Sequence, residues 1–338
     1  MKQLFGLIRA RLEQGEPLVL VTVITASGAT PRGAGARMLV GREGRLAGTI
    51  GGGAVEYRSE QIAGEVLREG SSRGHDFRLS RADVENLGMI CGGACSVFFT
   101  YLPAGDREVL ALAERALELL DRGEALWLLC DLKNGGRLGL YSEEEGFFQV
   151  ENGDFLLPRL TRQPALISEG GRAFFAEQIG DRSRVLVFGG GHVARELVPV
   201  LSHVGFRCTV VDDRPEFATE EWFPTAERVI CCDFGWIAEA VEVTQEDYVC
   251  VMSRGHAGDT RIQAQVLPKH PRYVGVIGSR QKAAGVRRVL REEYGIAEAD
   301  LDRVTTPIGL AIGSETPAEI AISIAAQLIQ VRAGNAGR

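Results

Sequence analysis

Lysine is nearly missing from this chain: of 38 basic residues only Lys2, Lys133, Lys269 and Lys282 are lysines. Arginine suits phosphate and carboxylate groups, but so global a bias reads as codon usage rather than as a binding surface. Excess positive charge is absent too. The formal net charge is −7, which argues against a general binder of nucleic acid or of acidic membrane surfaces. No stretch reaches the ~18 uninterrupted apolar residues of a membrane span. The opening MKQLFGLIRARLEQGEP alternates charge with apolar residues and lacks the unbroken apolar core of a signal peptide, so a cytoplasmic location is expected. Internal repeats and low-complexity tracts are missing. The seven cysteines, at 91, 95, 130, 208, 231, 232 and 250, follow no framework spacing, and an odd number in a cytoplasmic chain argues for free thiols. Cys231, Cys232 and Cys250 fall on expected core strands and read as small apolar filler.

What is present is length and glycine. At 338 residues the chain exceeds one ordinary domain, and ~100–200 residues per domain suggests two. Hydrophobic residues at 45% and charged residues at 25% supply two cores. Glycine accounts for 42 residues, well above the ~7% average. These glycines cluster, which points to loops where backbone approaches a ligand.

A helix is expected over residues 3–14, a buried strand over 18–26, a hairpin over 36–40 and 45–49, and a helix from about 55 to 69. A strand at 95–101, a helix near 107–121 and strands at 125–132, 136–141 and 147–150 follow. Hairpins mixed with helices predict an N-terminal α+β domain over 1–165, then a linker at 166–184. Beyond it, strands at 185–188, 207–211, 228–231, 248–252 and 273–277 alternate with helices at 193–203, 260–267 and 281–294. That alternation predicts a Rossmann-like, doubly wound parallel sheet over 185–338. The last helix opens at Thr316-Pro317-Ala318-Glu319, a capping box with proline at the first helical position.

The segment VLVFGGGHVA (185–194) fits G-x-G-x-x-A after a strand and opening a helix. Gly189 allows the turn, Gly191 lets a pyrophosphate near the backbone, and Ala194 permits close packing. Asp212, at the end of the next strand, is placed to bind ribose hydroxyls. The pattern predicts a nucleotide or other phosphorylated ligand, unless the glycines serve the turn alone. His192 either contacts that ligand or caps the helix. GTIGGGAVE (48–56) is a second such junction: Gly51, Gly52 and Gly53 leave amides open to an anion or a flat heterocycle, and Glu56 closes the group. SGATPRGAG (27–35) carries Arg32, which either grips a phosphate bidentately or is a solvated loop residue.

In MICGGAC (89–95), Cys91 is followed by Gly92 and Gly93, whose amides favour the thiolate. A thiolate suits molybdenum, copper(I) or zinc, and also accepts or passes sulfur. The C-x₃-C pair lacks a second ligand pair, which argues against structural zinc. SRGHAGD (253–259) follows a strand end, where open α/β sheets bind ligands. His256 and Asp259 are either an acid–base or metal pair, or a surface histidine beside a helix-capping acid. IGSR (277–280) and Glu315 belong to the same edge.

Together, SGATPRGAGARMLV, GTIGGGAVE, MICGG, GGGHVA, VVDDRPEFA, SRGHAGD, VIGSR and PIGLAIGSETPAEIA resemble the XdhC/CoxI family, over about residues 18–331. That family comprises accessory proteins that mature xanthine dehydrogenase and related molybdenum hydroxylases. The resemblance implies an α+β domain joined to a Rossmann domain, commonly in a homodimer. It implies a chaperone that binds the molybdenum cofactor in its molybdopterin form, without turnover of its own. The chaperone protects the cofactor while an oxo ligand is exchanged for sulfur beside a cysteine desulfurase, and delivers it to the apo-enzyme. Cys91 falls on the family's CGG cysteine, the favoured contact to the metal, and His256 and Asp259 on its H-x-x-D position. The cofactor is flat and phosphorylated and holds its metal through soft sulfur, so amide-rich loops and an open thiolate suit it. The rival reading is an NAD(P)-dependent oxidoreductase using the Rossmann half, with NAD(P) or another nucleotide as its occupant; no Tyr-x-x-x-Lys pair supports it. A third, a cysteine-based sulfur or redox carrier, requires a reactive Cys91.

Overall fold

The computed structural model describes residues 1–28, 30, 32–78 and 93–334. Contacts divide the chain into two units, Met1–Asp181 and Arg182–Arg338. In the first, helix α1 (Lys2–Glu13) precedes strands β1 (Leu18–Gly28), β2 (Arg37–Gly41) and β3 (Gly44–Thr49), helix α2 (Gly53–Glu69), strands β4 (Arg73–Arg78) and β5 (Gly93–Leu102) and helix α3 (Arg107–Arg122). Then come strands β6 (Leu126–Asp131), β7 (Arg137–Ser142), β8 (Gly146–Phe148), β9 (Ala165–Glu169) and β10 (Arg172–Gly180). They form two five-stranded sheets, β3-β2-β1-β5-β4 and β8-β7-β6-β10-β9, antiparallel throughout.

The uninterrupted apolar run of β1 has a plain cause: both faces of its sheet are covered. Val19, Val21 and Val23 pack with Val55, Ile62, Ala63 and Val66 of α2. Leu18 and Leu20 face the other way, into a core shared with α1, α3 and Leu126, Leu128 and Phe175 of the second sheet. Helix α3 starts at Asp106, whose carboxylate accepts from the amides of Glu108 and Val109, satisfying donors the helix leaves unpaired. It ends at Gly123 in the left-handed region.

Residues 166–184 are not a linker. They carry β9 and β10, turned at Gly170-Gly171 with φ of +58° and +81°, and β10 pairs with β6 from Phe174↔Asp131 to Gly180↔Leu126. Phe174 and Ala176 fill the outer core of the second sheet while Phe175 points into the shared one, so the segment is structural.

The second unit contains β11 (Arg184–Phe188), α4 (His192–His203), β12 (Arg207–Asp212), β13 (Arg228–Cys231), α5 (Ile237–Ala240), β14 (Tyr248–Val251), α6 (His256–Val266), β15 (Tyr273–Val276), α7 (Arg280–Glu292), α8 (Glu298–Leu301), β16 (Val304–Thr305) and α9 (Pro317–Arg332). Its sheet is β13-β12-β11-β14-β15-β16, parallel at every pairing. This is the doubly wound order, with the direction of winding reversing between β11 and β14. Helices α4 and α9 cover one face, and α6 and α7 the other. The expected α+β and Rossmann-like architecture is therefore the observed one. Cys250 is buried in the core as expected, but Cys231 is exposed and Cys232 half-buried, because β13 is an edge strand. Among the described residues no helix is long and apolar enough to cross a membrane.

Candidate functional site

In the first unit, the glycine-rich segments gather at one end of the first sheet. Thr49, the last residue of β3, pairs with Arg37 at the start of β2, and Arg37 pairs with Thr22 of β1. Strand β1 runs six residues past that rung, to Gly28, which pairs with Gly93; a regular strand spans about 20 Å over that length. The Gly51–Gly53 junction and Gly93 therefore share a sheet end but not a rung. The return from Gly28 to Arg37 crosses that interval, and Arg32 stands exposed within it. Cys91 and Gly92 lie outside the described residues. Among those described, no group of three or more His, Cys, Asp and Glu side chains is arranged to hold a metal ion.

The amides of Gly51 and Gly52 are not open to an incoming anion. All three glycines have positive φ (+122°, +76° and +65°), which bends the turn back on α2. The side chain of Glu56 fills it. Its carboxylate accepts from the amides of Ile50 (2.9 Å) and Gly52 (3.1 Å), and from the Thr49 hydroxyl and the Arg45 guanidinium. The Gly51 amide donates to Thr49 Oγ1 at 3.1 Å. Burial is the largest influence on this carboxyl and raises its pKa. The four donors together outweigh it, and Glu56 is held below its ordinary value. The chain supplies its own anion.

In the second unit, Gly189, Asp212 and Ser253 sit at the C-terminal ends of β11, β12 and β14, on the edge where such sheets bind ligands. Gly189 has φ +112°, and a Cβ there would strike the Met252 carbonyl, so this glycine serves the turn. Gly191 is different: a Cβ there meets nothing within 4 Å. It occupies the N-cap of α4, without a side-chain cap bond. His192 is the first helical residue, exposed, with its ring edge toward Trp222, so it does not cap the helix. Ala194 is fully buried, as close packing requires.

Asp212 does not face a ribose. It is 1% exposed, and Oδ1 accepts from the amide and Nε of Arg214, both at 2.9 Å. Oδ2 accepts from the Gly190 amide at 2.6 Å and Arg214 Nη2 at 2.9 Å. Four donors match the roughly four acceptor positions of a carboxylate. Burial raises its pKa most, yet Arg214 and the Gly190 amide more than offset this and hold it low. Over Gly190, the Trp222 indole donates to its carbonyl at 3.0 Å, and the Arg214 guanidinium lies 3.9 Å from the Phe217 ring centroid. The ribose side of the expected dinucleotide site is closed, and the residues present do not fit NAD(P).

His256 and Asp259 are not brought together as a pair. His256 is exposed at the start of α6, whereas Asp259 is completely buried. Its Oδ1 accepts from the Ser253 hydroxyl (2.6 Å) and amide (3.2 Å), and Oδ2 from Lys282 Nζ at 2.9 Å. Lys282 escaped the sequence reading because a lysine in a helix ordinarily marks a solvated face. The signal was available in its rarity and its position three residues after Ser279.

The XdhC and CoxI family's sequence model matches residues 11–78, and that of the XdhC Rossmann domain matches residues 185–328. Among curated proteins, the chain is 26% identical over 321 residues to "Uncharacterized protein YqeB" of Escherichia coli, covering 95% of this chain and 44% of that protein. The chain thus spans less than half the length of YqeB. It is 25% identical over 337 residues to a probable xanthine dehydrogenase subunit of Bacillus subtilis, covering 96% of each. A crystal structure described as a xanthine dehydrogenase from Bacillus halodurans superposes with a TM-score of 0.80 at 26% identity, covering 98% of this chain and 96% of that one. With both units matched in chain order and a full-length structural counterpart, the chain belongs to the XdhC and CoxI family.

Proposed function

We propose that this protein is an accessory factor for a xanthine dehydrogenase-type molybdenum hydroxylase, working as a cytoplasmic homodimer. It binds the molybdenum cofactor in its molybdopterin form, supports its sulfuration by a cysteine desulfurase, and delivers it to the enzyme. The observation that carries this reading is the family match on both units in the same order. The names of the Bacillus relatives support a partner of that class.

For the cofactor's phosphate, the fitting residue is Arg32, exposed between Gly28 and Arg37. A guanidinium there meets an anionic oxygen with two parallel donors. The Gly51 and Gly52 amides do not contribute while Thr49 Oγ1 and the Glu56 carboxylate hold them. Cys91 supplies the soft sulfur that suits molybdenum. Nicotinamide chemistry is disfavoured, because Asp212 would have to release Arg214 before meeting a ribose.

The test is anaerobic titration of purified protein with molybdenum cofactor, beside Cys91→Ser and Arg32→Ala. Stoichiometric binding is expected in the wild type, with affinity reduced about tenfold or more in each variant, the equivalent of one charged hydrogen bond or soft-ligand contact. Absence of binding by folded wild-type protein would overturn the reading.

A further inference from the structure

We propose that the second unit contains a separate pocket for a small monocarboxylate, built on Lys282 and unrelated to the molybdenum-cofactor reading. The pocket, of about 200 Å³, lies between α6, α7 and the ends of β15 and β16. Its walls are mainly apolar, from Val276, Val286, Leu290, Leu301 and Val304. Of its two cationic wall residues, Arg287 is bound to Glu298 and Asp302, which leaves the Lys282 ammonium to serve a ligand.

Composition sharpens the choice of residue. Lys2, Lys133 and Lys269 are exposed, and Lys282 alone among the four is drawn into a pocket. Gly278 leaves room for its stem, since a Cβ there would come within 2.9 Å of Lys282 Cδ. Gly278 has φ +143°, a conformation that side chains other than glycine's rarely adopt. The ammonium is held by Asp259 Oδ2 at 2.9 Å before any ligand arrives, which lowers the entropic cost of using it.

Asp259, which lines the pocket too, pairs with that cation, and its far oxygen takes two neutral donors from Ser253. With one donor on Asp259 Oδ2, the ammonium keeps two of its three N–H bonds for other acceptors. The N-terminus of α7, capped by Ser279, lines the same pocket and adds to the field that favours an anion. A single ammonium next to a buried carboxylate tolerates one negative charge but not two. That selects a carboxylate over a phosphate dianion. The apolar wall calls for a hydrocarbon or aromatic body, and the volume, below the roughly 300–1,000 Å³ of drug-sized sites, for a small one.

The experiment uses benzoate as probe, with benzamide as its uncharged counterpart and inorganic phosphate as the dianion. Binding to the full chain is followed by ligand-detected NMR and calorimetry near neutral pH. Benzoate is expected to bind in the millimolar range, at least tenfold more tightly than either comparator. Lys282→Met should weaken benzoate binding at least tenfold. Because that variant leaves Asp259 buried without its cation, Ala283→Leu is measured as well. It fills the pocket with the ion pair intact, and is also expected to remove binding while the circular dichroism spectrum stays native. No benzoate binding by wild type at about 10 mM, equal binding by Ala283→Leu, or a preference for phosphate would each overturn the proposal. None of these outcomes bears on cofactor binding at the first unit.

Discussion

At the scale of single residues, the two most telling side chains are carboxylates that took backbone amides for themselves. Glu56 and Asp212 each hold an amide of a glycine turn, Gly52 in one case and Gly190 in the other. Both are held below their ordinary pKa, so both contribute stability that is present at neutral pH. For Glu56 that contribution is complete above its ordinary value of 4.5 and is lost as pH falls through the lower folded-state value. Glu56→Gln is expected to cost about 1.5–3 kcal/mol at neutral pH, the range for hydrogen bonds to a charged group. It should also flatten the acid limb of a urea-derived stability profile. A variant whose stability falls with acid in parallel with wild type would refute the assignment. These fates were not legible in the sequence. The composition shows a glycine turn and a nearby acid, but whether the acid meets a ligand or the turn depends on Arg214 two residues on, or on Arg45 from a neighbouring strand.

At the scale of elements, legibility followed the strength of the local pattern. The strand, turn and helix over 184–203 could be read because a short unbroken apolar run, three glycines and a fresh helical period meet within twenty residues. The capping box was read correctly as well: Thr316 accepts from the Glu319 amide at 3.3 Å, and Glu319 returns to the Thr316 amide at 3.0 Å. Thr316→Ala should lower stability by about 1 kcal/mol in denaturant titration; no change would mean that α9 is held by packing alone. Strands β4, β9 and β10 were missed for different reasons. Arg73–Arg78 is polar because it is an edge strand, and such strands avoid apolar surfaces. Ala165–Gly180 hides a hairpin whose signal was Gly170-Gly171 between two apolar alternations.

At the scale of the whole molecule, each unit encloses its own hydrophobic cores, so two calorimetric transitions are expected. Gly189→Ala, which drives a Cβ into the Met252 carbonyl, should lower one of them by the equivalent of about 3 kcal/mol and leave the other in place. Gly191→Ala should be nearly silent, within about 1 kcal/mol, since its Cβ meets nothing. A single transition moved by both substitutions would contradict this division. The division itself was legible from the change of rhythm near residue 185, although its boundary was not, because a sheet closing strand and a tether look alike until their partner is known.

The pairing of β4 with β5 carries one more consequence. Arg78 and Ala94 occupy the same rung, so the chain leaves the sheet and re-enters it at neighbouring points around the stretch that bears Cys91. The ladder alone therefore pins side by side two residues that stand sixteen positions apart in sequence.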